Sequence, residues 1–127
     1  MARHVTHLLT LPLRRPLMTA NDQRRAHWSK VRDAKADTEL LVTFAARGAK
    51  LPRVERCHVT VTWHAPDARA RDVDALGPCL KAVLDGLVRG GWLPGDDHRH
   101  VLSTRLVIVV DRAAPRIVVA LDEAEAG

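Results

Sequence analysis

The 127-residue chain contains no tyrosine, one phenylalanine and three tryptophans. So sparse an aromatic content argues against a protein that stacks successive splayed bases on an aromatic platform. Cysteine is nearly as scarce. Cys57 and Cys79 sit in apolar contexts and form no CxxC pair, so they read as buried free thiols of a reducing compartment. No stretch approaches the roughly 20 apolar residues of a membrane span. The N-terminal "MARHVTHLLTLPLRRP" is too broken for a secretory signal. The expectation is a cytoplasmic protein with no membrane partner. Repeats, low-complexity tracts and dividing linkers are also missing, so residues 1–127 read as one domain, long enough to bury a core without staples.

What is present is charge, unevenly spread. The net charge is +5, with 14 Lys and Arg against 6 Asp and Glu in residues 1–71, and 6 against 9 in residues 72–127. A basic half attracts polyanions, of which phosphate backbones are the commonest. Arg14, Arg15, Arg24, Arg25, Lys30, Arg69 and Arg71 are the candidates for backbone contact, set against the plainer reading of a solvated basic surface.

Hydrophobic patterning predicts the order βαβαββ: an α+β domain with a small mixed sheet and two helices. "HVTHLLTL" (His4–Leu11) is a first strand. A helix start near Thr19 or Asn21 is followed by one long helix from Ala26 to Arg47, with Val31, Leu40, Leu41, Phe44 and Ala45 at near-helical spacing. In "ERCHVTVTWH" the apolar Cys57, Val59, Val61 and Trp63 alternate with His58, Thr60, Thr62 and His64, so one face is core and the other partly wet. A second helix starts near Pro78, carries the stripe Leu80, Val83, Leu84, Leu87 and Val88, and is closed by Gly90–Gly91. "LSTRLVIVVD" and "PRIVVALD" read as an antiparallel pair joined by the short "RAAP" turn.

The carboxylates concentrate around the second helix. In an extended segment Asp72 and Asp74 project to one side. Two ionised carboxylates converging to about 5 Å repel by roughly 3 kcal/mol at an effective dielectric of about 20. A proton, an arginine or a divalent cation must offset that, and hard Asp oxygens suit Mg²⁺ or Mn²⁺. Asp96 or Asp97 could supply a third carboxylate if the fold brings that loop beside the strand end. Lys81, one turn into the helix and off its apolar stripe, could face the cluster and neutralise a phosphate. Each part also has a plain structural reading: DxD as a helix-start cap, "GDDH" as a turn, and Lys81 with Asp85 as an i,i+4 surface pair. The seven histidines show no repeated metal-ligand spacing, which makes zinc the poorer guess.

Taken in order, "RDVDALGPCLKAVLDGLVRGGWLPGDDHRHV" (Arg71–Val101) resembles the central signature of the RusA family of Holliday-junction resolvases, small phage- and prophage-associated endonucleases. That signature is Arg-Asp-x-Asp-Asn, a Lys within a helix ending Asp-(Ala/Gly)-Leu, then Gly and an Asp-Asp pair before Val. The resemblance implies a RusA-like homodimer that binds four-way DNA junctions and nicks them symmetrically with Mg²⁺, Mn²⁺ substituting, in recombination and repair. It implies metal-binding catalytic places for Asp72, Asp74 and Asp97, the essential lysine at Lys81, and Asp96 as a supporting residue or alternative ligand. Two departures stand out: Ala75 replaces the Asn after the second Asp, and the interval from Asp74 to Lys81 is longer than in the shortest members. The alternatives are a branched-DNA-binding protein with impaired catalysis and a more general flap or branched-DNA nuclease.

Overall fold

The computed structural model describes residues 5–125. Four strands form one mixed sheet in the order β1-β4-β2-β3. They are β1 (Thr6–Leu11), β2 (Cys57–Ala65), β3 (Val101–Val110) and β4 (Arg116–Glu123), with helices α1 (Ala20–Arg25), α2 (Trp28–Gly48) and α3 (Gly77–Arg89). A 3-10 turn, Val73–Leu76, leads into α3. This is the expected α+β class. The first expected strand residue, His4, lies outside the described residues.

Alternation built the sheet as its pattern dictates. Cys57, Val59, Val61, Trp63 and Ala65 of β2 and Ile117, Val119 and Leu121 of β4 are buried, and join Leu9 and Leu11 of β1 in one core. Val42 and Ala46 of α2 and Cys79, Val83, Leu84 and Leu87 of α3 cover that side. The intervening strand residues form an open face, on which Leu8 is 60% exposed. Gly91, at a φ of +81°, supplies the left-handed turn after α3. Gly86 lets α3 approach α2 closely, since an added Cβ would come within 3.4 Å of the Glu39 Cα.

Three expectations are corrected. The expected long helix is present as α2, but a separate short helix, α1, precedes it, so the domain has three helices and not two. Thr19 caps α1 through a reciprocal box with Asp22, and the His27 side chain accepts from the Ser29 amide to cap α2 separately. Leu40 and Phe44 do not face the core. They are 54% and 63% exposed, while Ala34, Thr38, Glu39, Val42 and Ala46 form the buried face of α2. The polar Thr38 and Glu39 masked that stripe in the sequence. Thr38 returns its hydroxyl to the Ala34 carbonyl (2.8 Å) and Glu39 pairs with Arg89 (2.9 Å).

Third, β3 and β4 run in opposite senses but are not hydrogen-bonded neighbours. β2 lies between them, parallel to β3 and antiparallel to β4. The connection passes the end of β2, where the Asp111 amide donates to the Ala65 carbonyl (2.8 Å). Two strand spacings are only about 10 Å, within reach of a five-residue link. In the inner place β4 has Ile117, Val119 and Leu121 buried under the helices, whereas β3 at the edge has only Val101 buried.

Candidate functional site

The chain leaving β2 turns sharply at Pro66 and builds one wall of an open cleft of about 630 Å³. The segment around Arg14–Asp22 and α1 builds the other. Trp63, 5% exposed, lies at its base and ties the walls together by donating its indole N–H to the Arg14 carbonyl (3.0 Å). The Arg71 guanidinium stacks over the Trp63 ring at 4.6 Å. It also donates to the Asp67 carboxylate (2.7 Å) and to the Asp67 and Arg69 carbonyls (2.9 and 3.1 Å). Arg71 is therefore held rigidly by a ring, a carboxylate and the backbone.

The Asp67 carboxyl is held below its usual value by the Arg69 amide first and then by Arg71. On the facing wall Asp22 is lowered by hydrogen bonds from the Thr19 backbone and side chain, and Arg15 pairs with it at 3.1 Å.

Asp72 and Asp74 both line this cleft, with Arg14, Arg15, Arg24, Arg69 and Arg71. Their placement differs in detail from an extended pair. Asp72 is extended (φ −76°, ψ 137°) and precedes the 3-10 turn, and Asp74 sits in the first turn itself. The Asp72 carbonyl accepts from the Ala75 amide (3.1 Å), but its side chain makes no cap. Both side chains are exposed, and among the described residues no side chain is hydrogen-bonded to either carboxylate. Arg25 and Lys30 line an adjoining depression that shares Arg15, Asn21 and Asp22 with the cleft. The basic residues singled out in the sequence thus border two adjoining depressions.

The second acidic pair is placed elsewhere. Asp97 is not a cleft residue: its carboxylate takes Arg99 through two guanidinium contacts (2.9 and 3.1 Å) and the Arg99 amide (2.9 Å). That clamp holds the Asp97 carboxyl far below the usual carboxylate range. The Asp97 carbonyl accepts from His100 and Val101, and Val101 pairs with Cys57 at the start of β2, the end opposite the cleft. Asp96 receives the Lys81 ammonium at 2.8 Å. Lys81 also reaches Asp85 (3.1 Å), as its spacing predicted, and Asp85 is bridged to Lys35 of α2 (2.8 Å). The Asp96 contact, then that of Asp85, raises the Lys81 pKa. Burial pushes Asp85 up, but the hydrogen bonds from Lys35 and Lys81 outweigh it and leave it lowered. Lys81 borders a smaller cavity of about 160 Å³ with Met18, Lys35 and Cys79, not the arginine-lined cleft.

Among the described residues no three His, Cys, Asp or Glu side chains converge as a metal group. Asp72 and Asp74 do offer two unpartnered carboxylates in one cleft. That donor set fits a Mg²⁺ held by one or two carboxylates that keeps waters and shares substrate phosphate oxygens. A three-carboxylate set including Asp97 does not fit this arrangement. Sequence reasoning missed Trp63, Asp67, Asp22 and Thr19 as cleft residues. The i,i+4 spacing of Asp67 and Arg71 and the Thr-x-x-Asp capping pattern were the available signals. No family model and no curated protein matches the chain.

Proposed function

We propose that this protein is a metal-dependent endodeoxyribonuclease acting on branched DNA, with the four-way junction as its preferred substrate and a homodimer as its working form. One observation carries the reading: two carboxylates with no bonded side chain among the described residues, Asp72 and Asp74, share a cleft with five arginines. Free carboxylates beside so many cations are poor design for a simple polyanion binder, because they repel phosphate. They suit a site where phosphate and a hard cation are bound together.

In this reading Asp72 and Asp74 hold Mg²⁺ or Mn²⁺, which when bound supplies Lewis acidity and an acidified water. Arg71, fixed by Trp63 and Asp67, positions the phosphate without adjusting its own side chain. Arg14, Arg24 and Arg69 track the flanking backbone and carry no base sequence. Junction selectivity then comes from two copies presenting two clefts. Lys81 and Asp96 support the fold of the acidic loop through their mutual ion pair.

The rival reading, a branched-DNA-binding protein without cleavage, is favoured by the Arg99 clamp on Asp97 and by Ala75 in the acidic stretch. A labelled synthetic junction, a flap and a linear duplex incubated with Mg²⁺ separate the readings. Paired nicks on the junction, lost in Asp74→Asn, support the proposal. Tight binding with no nick supports the rival, and equal rates on all three substrates indicate a general nuclease.

A further inference from the structure

We propose that the outer edge of β3 pairs antiparallel with β3 of a second copy of this chain, centred on Ile108, to make one continuous eight-stranded sheet. Among the described residues β3 is bonded only to β2, so its other edge is open along ten residues. Natural edge strands are kept short, charged, bulged or broken by proline. β1, the opposite edge, follows that rule with six residues ending before Pro12. β3 bulges only at its start and has no proline, and after Arg105 it runs Leu106-Val107-Ile108-Val109-Val110 without a charge. Val109 and Val110 are 40% and 49% exposed.

The strand is also self-complementary. Reflected about Ile108, Leu106 meets Val110 and Val107 meets Val109, branched residue against branched residue, while Arg105 meets Asp111, whose carboxylate also pairs with Arg116 of its own chain (2.9 Å). Opposed residues of an antiparallel pair share a sheet face, so those two side chains lie together. The backbone agrees with this register. The Asp111 amide donates inward to Ala65, and alternation back along the strand turns the N–H and C=O of Val110, Ile108 and Leu106 to the open edge. Those are the groups that a two-fold centred on Ile108 brings into hydrogen-bonded pairs.

The pairing gives an interface to the homodimer of the proposed function, and its test needs no DNA, so its failure leaves the cleavage assay to decide the nuclease reading. Light scattering on the size-fractionated full chain, from about 1 to 100 µM, reads the mass directly. The expected wild-type value at the upper end is twice the chain mass of 14.1 kDa. Val109→Lys places a charge on the exposed edge, and Ile108→Pro deletes an outward N–H that β2 does not use. Both are expected to run as single chains with wild-type far-UV circular dichroism, and Val109→Lys decides the matter if the proline variant misfolds. Arg105→Asp, opposing Asp111, should raise the dissociation constant at least about tenfold. A wild type of single-chain mass throughout overturns the pairing, as does a dimer that survives Val109→Lys. An unchanged dissociation constant in Arg105→Asp overturns the register.

Discussion

The two acidic pairs share composition and differ in everything else. Asp72 and Asp74 stand free in a cleft rich in arginine, while Asp96 and Asp97, equally exposed, are each claimed by a cation of their own. The difference lies in the backbone around them. Arg99 follows Asp97 by two residues within one turn, so guanidinium and amide close on the same carboxylate. Arg71, only one residue before Asp72, is turned away from it by the Trp63 ring and by Asp67. A neighbouring arginine neutralises an aspartate only when nothing better holds it.

The largest test of that comparison removes what diverts Arg71. Trp63→Ala empties a buried site and should cost about 3–5 kcal/mol of stability, read from the urea midpoint. Replacing the exposed Arg99 by Ala should leave the midpoint essentially where it is. Next, Asp74→Asn should abolish both Mg²⁺-dependent nicking and any Mg²⁺-induced rise in Tm, while Asp97→Asn keeps both. Equal loss in the two variants would mean that Asp97 leaves Arg99 to join the cleft, and the comparison would fail. Thr19→Ala, which removes the capping box at the mouth of the cleft, should cost about 1 kcal/mol in thermal unfolding.

A smaller effect concerns acid. Asp85 and Asp22 have lowered folded pKa values, so their stabilisation is fully present above the unfolded value of 3.8 and is lost as pH falls through the folded ones. Asp85→Asn should therefore shrink the gap in urea midpoint between pH 6 and pH 3. An unchanged gap would deny Asp85 its bridging role. Smallest of all, Arg69→Ala should lower the slope of log affinity against log salt by about one on any DNA.

Period-2 alternation made β2 and β4 legible, because one face of each is buried almost without exception. The stripe on α3 was equally plain. The buried face of α2 was not, since Thr38 and Glu39 enter the core by satisfying their polar groups locally, a device that no hydropathy pattern reports. Strand order was hidden for a different reason: a short link suggests a hairpin, whereas this one passes the end of β2 to reach its far side. In the candidate site, the pairing of Lys81 with Asp85 could be read from spacing. The separation of Asp97 from Asp72 and Asp74 could not, because it depends on which end of the parallel β2–β3 pair each loop occupies.

The late strand at the centre has a consequence for how the protein is born. Thr6 of β1 faces Asp122 across the ladder, so the first strand made waits for the last. Until the ribosome has released Arg116–Glu123, β1 has no backbone partner and β2 lacks one of its two. Folding of this sheet therefore waits for β4 to emerge and is dominated by distant contacts. A nascent chain stalled before residue 116 should remain open to protease along both of its earlier strands.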